Sequence, residues 1–142
     1  MLNLYKYYKG PTQLPGYQER TKLIPKLAYR HAMQIGERWP EAEPHIIKDP
    51  WYSKLYAAYI IKGRWPEAEP IIITQPITAV GYARDVIRGR WPEAEPYIMK
   101  NPRVALRYAM EVIEGRWKEA EPYIKQSQSS WTSYLDFIKG TN

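Results

Sequence analysis

Four Glu-x-Glu pairs, Glu41/Glu43, Glu67/Glu69, Glu93/Glu95 and Glu119/Glu121, are the most suggestive chemistry in the chain. Two neighbouring carboxylates can share acid–base work or hold a divalent cation. Two arguments count against both uses. Residues two apart on a helix do not face one another, and a catalytic pair has no reason to be copied four times. Each pair follows a proline or, at Lys118, a lysine. Acidic side chains at such a place favour the positive end of a new helix. The pairs are expected to supply that charge and to form ion pairs with the arginine that precedes them.

The tryptophans Trp39, Trp65, Trp91 and Trp117, each behind an arginine (Arg38, Arg64, Arg90, Arg116), are the second candidate. An exposed ladder of this kind could stack bases or sugars. Tryptophan also carries a large apolar area, so burial within the scaffold is the expectation. The tyrosines Tyr56, Tyr82, Tyr108 and Tyr134 fall on a helical apolar stripe and are read as packing residues. His31 and His45 are 14 apart with no cysteine or carboxylate at ligand spacing, so no metal site is expected. There is no nucleophile elbow, no phosphate-binding loop and no dinucleotide turn. No enzymatic activity and no cofactor are expected.

These residues recur at a fixed spacing. Arg-Trp-Pro-Glu-Ala-Glu-Pro begins at Arg38, Arg64 and Arg90 and returns at Arg116 with Lys118 for the first proline. The starts are 26 residues apart, the signature of a repeat array. Asn101-Pro102 and Asp49-Pro50 read as a helix cap and first turn, with Gln75-Pro76 a weaker version. Ala105, Tyr108, Ala109, Val112 and Ile113 then mark one helical face. Gly63, Gly89 and Gly115 are expected to end these helices in the left-handed conformation. A new helix is expected to start at the first proline of each Pro-Glu-Ala-Glu-Pro run. The second proline keeps this element short, either a kinked helix or two successive turns. Upstream, Arg30 stands where the tyrosine is expected and Glu37 where the glycine is expected. Downstream, Ser129 or Ser130 is the expected cap of a last helix. The predicted fold is all-α: a short α-solenoid of about four helix-pair repeats. Residues 1–26 form a basic, aromatic N-terminal cap and 27–142 the array, in one compact domain.

The run Tyr82-Ala83-Arg84-Asp85-Val86-Ile87-Arg88-Gly89-Arg90-Trp91-Pro92-Glu93-Ala94-Glu95-Pro96-Tyr97-Ile98 resembles tandem repeats in uncharacterised proteins of tailed bacteriophages and related viruses. The resemblance covers roughly Leu27 to Gly140 and leaves 1–26 outside. It implies a phage origin and no particular activity.

Composition bounds the remaining uses. The chain has 142 residues, 44% hydrophobic, with no cysteine and a net charge of +6. A disulfide framework is excluded, and no apolar run approaches the ~20 residues of a membrane span. The first 30 residues hold six basic side chains against Glu19, so the basic character is N-terminal. There, Lys6 and Lys9 interleave with Tyr5, Tyr7 and Tyr8, and Arg20, Lys22 and Lys26 follow, a pattern suited to nucleic acid. Among repeat-variable positions, Trp51, Tyr52, Lys54, Arg103 and Arg107 are the candidate protein-binding residues, and Trp51, Tyr52 and Arg103 are of the types that anchor interfaces. The leading expectation is a non-enzymatic protein-binding module. If phage-encoded, it would act in the host cytoplasm and bind or inhibit a host protein, such as a defence factor, by steric occlusion. Nucleic-acid binding through the N-terminal bases, a structural or assembly role, and homo-oligomerisation are the alternatives.

Overall fold

The computed structural model describes residues 16–141. Among them every regular element is helical, and the elements come in short–long pairs. The short helices are α1 (Tyr17–Thr21), α3 (Glu43–Ile46), α5 (Glu69–Ile72), α7 (Glu95–Ile98) and α9 (Glu121–Ile124). The long ones are α2 (Pro25–Ile35), α4 (Pro50–Tyr56), α6 (Pro76–Tyr82), α8 (Pro102–Tyr108) and α10 (Gln128–Gly140). This is an all-α repeat fold of helix pairs. The chain divides after Ile71 into two compact units. In the first, α2 packs on α3 and α4; in the second, α8 packs on α6, α9 and α10.

Each long helix begins where the sequence provides a start. Proline occupies the first turn of α2, α4, α6 and α8, where its missing N–H is not needed. The Asp49 side chain accepts from the Trp51 and Tyr52 N–H groups, and Asn101 from those of Arg103 and Val104. Gln75 makes no such bond, and its amide oxygen accepts from the Thr78 hydroxyl instead. The cap of α10 is Ser127, whose hydroxyl accepts from Ser130 N–H at 3.3 Å, and not Ser129 or Ser130. Ser127 stands 26 residues after Asn101, so the register persists through this polar connection.

The short helices start later than expected. Pro40 and Glu41 lie in a turn, and α3 begins at Glu43 with Pro44 inside its first turn. Glu69, Glu95 and Glu121 open the others in the same way. The second proline therefore starts this helix rather than stopping it. Where Lys118 replaces proline, Lys118–Ala120 becomes a short 3-10 turn.

The helix ends also differ from the expectation. Residues Ala57–Ile61, Ala83–Ile87 and Ala109–Ile113 continue α4, α6 and α8 as a π-helical turn. The left-handed residue that follows is Lys62 (φ 59°), Arg88 (60°) or Glu114 (56°), one place before each glycine. The Lys62 and Gly63 N–H groups both donate to the Ala57 carbonyl. In α2 there is no π turn: Gly36 itself is left-handed (φ 75°) and its N–H donates to Ala32. From Ala32 to Gly36 is four residues, whereas Ala57 to Lys62 is five. The π turn holds the one residue by which the later units exceed the first.

That difference corrects the alignment of the first unit. Pro25 and Pro50, both at helix starts, are 25 apart. His31, not Arg30, then takes the tyrosine position. Its ring lies 4.7 Å from that of Trp39, as Tyr56 lies 5.0 Å from Trp65. Helix α1 likewise occupies the place of α3 one unit earlier, with Thr21 buried where Ile46 is buried.

Candidate functional site

The repeated motif builds a buried node. In the second unit, Arg90 Nε and Nη2 both donate to Glu95 at 2.8 Å. The Tyr108 hydroxyl donates to Glu95 Oε1 at 2.8 Å and accepts from Trp91 N–H at 2.7 Å. The Tyr108 ring meets Trp117 at 4.9 Å. Arg38, Glu43, Tyr56 and Trp39 repeat the hydrogen bonds, with the hydroxyl at 2.9 Å from Glu43 and 2.7 Å from Trp39 N. Arg116, Glu121, Tyr134 and Trp117 repeat them again. Arg64 and Glu69 form the same bidentate pair.

The electrostatics follow from this geometry. Burial opposes ionisation of Glu43 and Glu95, but hydrogen bonds from the arginine and tyrosine outweigh it, and both sit below the ordinary carboxylate range. At Glu121 the Arg116 hydrogen bonds lead, with the same result. Burial pushes the Tyr56 hydroxyl up to about 12, and the Tyr108 and Tyr134 hydroxyls are raised for the same reason. The four motif tryptophans, Trp39, Trp65, Trp91 and Trp117, are buried. At 150–250 Å² each, burial of one such side chain stabilises by roughly 4–6 kcal/mol before entropy. The half-exposed arginine contributes far less, because solvent screens it. The second glutamate of each Glu-x-Glu pair is thus consumed inside the scaffold. The first, at 41, 67, 93 and 119, is exposed.

Comparison with protein-family models, curated protein sequences and solved structures finds no match.

With the motif tryptophans, second glutamates and tyrosines internal, the variable residues on the long helices carry the differences. In the first unit, Lys26, Tyr29, Arg30 and Met33 share one side of α2, and Tyr52, Leu55 and Tyr59 one side of α4 and its π turn. The two sides meet: the Tyr29 and Tyr52 rings are 5.8 Å apart. Burial raises the Tyr29 hydroxyl, and the phenols of Tyr59 and Tyr52 add to the effect. Tyr59 is 57% exposed and Met33 44%. Trp51, 49% exposed, lies on the next face of α4. Lys54 is only 6% exposed, with its ammonium 4.2 Å from the centre of the Trp51 ring. It braces that ring and does not present a free surface charge.

The second unit carries a different surface at matching positions. Arg84 binds Asp85 through two hydrogen bonds and reaches Glu111 at 2.7 Å; Arg107 also binds Glu111, at 3.0 Å. These charges are balanced within the unit. Arg103 is exposed with no side-chain partner among the described residues. It lines an open groove of about 320 Å³ with Leu106, Arg107, Ser129, Ser130 and Ser133. A second hollow of about 240 Å³ lies beside Arg38, Glu43, Ile47 and Trp65, over the first node.

The N-terminal bases are divided. Lys6 and Lys9 lie outside the described residues. Arg20 donates to the Gly16 carbonyl at 3.4 Å and Lys22 pairs with Glu19 at 2.6 Å. Lys26 is exposed with no ion-pair partner among the described residues. No group of three or more histidine or acidic side chains is placed to hold a metal among the described residues. No helix among them is long and apolar enough to cross a membrane.

Residue type and repeat-variable position point to Trp51 and Tyr52 in the sequence. Tyr29, Met33 and Tyr59, which share the α2 and α4 sides with Tyr52, are not among the sequence candidates. The available signal was the absence of any acidic residue from both 25–35 and 50–61.

Proposed function

We propose that this chain is a non-enzymatic protein-binding repeat module. One observation carries the reading. The Trp, the second Glu and the Tyr of the repeat are used up in buried nodes, while the exposed position held by Tyr59 in the first unit is held by Asp85 and Glu111, both paired with Arg84, in the second. A scaffold held constant beneath a varied surface is how repeat proteins present a recognition face. The resemblance to phage repeats extends the proposal: the partner is a protein of the bacterial host, bound in its cytoplasm and inhibited by occlusion. Proteins of host defence are the natural class.

The test is a pull-down from host lysate with the full chain as bait, after nuclease treatment and at moderate salt. The expected result is one host protein retained in fixed stoichiometry. Recovery of nuclease-sensitive material alone would instead assign the surface to nucleic acid, since phosphate contacts are salt- and nuclease-sensitive. That outcome would put Arg20, Lys22 and Lys26 ahead of the long-helix faces.

A further inference from the structure

The long helices of the first unit have an unusual charge balance. Residues 25–35 and 50–61 hold Lys26, Arg30 and Lys54 and no acidic side chain. Lys26 and Arg30 are exposed, and no ion pair engages either among the described residues. They stand one helical turn from Tyr29 and Met33, on the side that meets Tyr52 and Tyr59. The corresponding helices of the second unit differ, because Asp85 and Glu111 neutralise Arg84 and Arg107 there. Among the described residues of the long helices, the first-unit face joins exposed aromatic area to uncompensated positive charge, whereas the unpartnered Arg103 of the second unit lines a groove of Leu106 and serines.

From that coincidence we infer that the α2/α4 face docks an acidic protein segment, an amphipathic helix with apolar anchors on one side and carboxylates beside them. The inference rests on the protein-binding reading above and names the face and the partner's chemistry. The anchors would bury against Tyr29, Met33, Tyr52 and Tyr59, and the carboxylates would pair with Lys26 and Arg30. Tyrosine suits the centre of such a contact, giving large area at low entropic cost with a hydroxyl for the rim. The rings favour protein over nucleic acid. Tyr29 and Tyr52 are half-buried and tilted at 45° to each other, so they do not form a parallel platform on which successive bases could stack.

The probe is a synthetic acidic amphipathic peptide of about 18 residues, five helical turns, with leucine and phenylalanine on one side and glutamate on the other. Its controls are the same peptide with lysine for glutamate, and a single-stranded oligothymidylate. Amide resonances of the full chain are followed in titration. The expected result is binding of the acidic peptide alone, with shifts confined to residues 26–33 and 52–59. Lys26→Glu/Arg30→Glu should weaken it about tenfold at low salt. Tyr59→Ala should weaken it about tenfold or more at any salt. Both variants alter exposed side chains, so an unchanged thermal midpoint confirms that the fold is intact. No binding, equal binding of the lysine peptide, tighter binding of the oligothymidylate, or shifts mapping elsewhere would each overturn the inference. So would concentration-dependent self-association that the same variants abolish, since the occupant would then be a second copy. If the pull-down partner is retained by both variants, the protein-binding reading stands and this face is not its site.

Discussion

Tyr108 links the pieces of its node. Its hydroxyl accepts from the buried Trp91 N–H and donates to Glu95, which also holds Arg90. Replacing it with phenylalanine keeps the ring against Trp117 but leaves the Trp91 N–H without an acceptor in a dry site. An orphaned buried donor costs about 1–3 kcal/mol, so Tyr108→Phe should lower the melting temperature by several degrees. The two glutamates of a pair separate cleanly on the same logic. Glu95→Gln should destabilise, because a neutral amide loses the charge-assisted pair and part of the hydroxyl contact. Glu93→Gln, at an exposed position, should stay within ~0.5 kcal/mol of the parent. Thermal unfolding followed by circular dichroism checks all three. Equal effects at Glu93 and Glu95 would contradict the node.

At the scale of the helix, the π turns make a prediction about glycine that runs against its usual reading. Lys62, Arg88 and Glu114 hold the left-handed conformation, and the adjacent Gly63, Gly89 and Gly115 do not. Left-handed backbone costs a non-glycine residue roughly 1–2 kcal/mol. Lys62→Gly should therefore stabilise the chain, partly offset by added freedom in the unfolded state. Gly63→Ala should be neutral or mildly stabilising, since a Cβ there meets nothing within 4 Å. Gly36→Ala should destabilise by about 1 kcal/mol, because Gly36 is itself left-handed. Chemical denaturation of the three variants checks the order. A loss at Gly63→Ala equal to that at Gly36→Ala would mean the glycine, not its neighbour, ends the helix. These ends also mark the limit of what sequence could show. Proline starts, the Asp49 and Asn101 caps and the Ala–Tyr stripe are local signals, and they placed the starts of α4, α6 and α8. A π turn inserts one residue without altering composition, so the pattern reads the same with or without it. Aligning the first unit at 26 instead of 25 then put Arg30 where His31 belongs. The aromatic face was hidden for a related reason: Tyr29 and Tyr52 meet only because two helices pack, and no window along the chain contains both.

Across the whole molecule the nodes act on stability together, and pH is the variable that reads them. Glu43, Glu95 and Glu121 are held below their ordinary range when folded. Each therefore contributes stability that is present above the unfolded value, near 4.3, and lost as pH falls through the folded one. The Tyr56 hydroxyl is raised to about 12. Its contribution is complete below the unfolded value near 10 and is lost as pH rises towards about 12, and Tyr108 and Tyr134 act in the same direction. His31 adds an earlier acid step. Burial lowers its pKa, and its Nδ1 has no hydrogen-bond partner. Below about 6.5 the unfolded chain takes up a proton that the folded imidazole resists, so stability begins to decline there. The expected profile is a plateau from about pH 7 to pH 9, a shallow fall below 6.5, a steeper one below about 4, and an alkaline fall above 10. Urea unfolding across this range measures it. His31→Phe should remove the shallow step alone, Glu95→Gln should flatten part of the steep acid limb, and Tyr56→Phe part of the alkaline one. An acid limb untouched by Glu95→Gln would place the titrating carboxylates elsewhere, and the repeated motif would then contribute shape without charge.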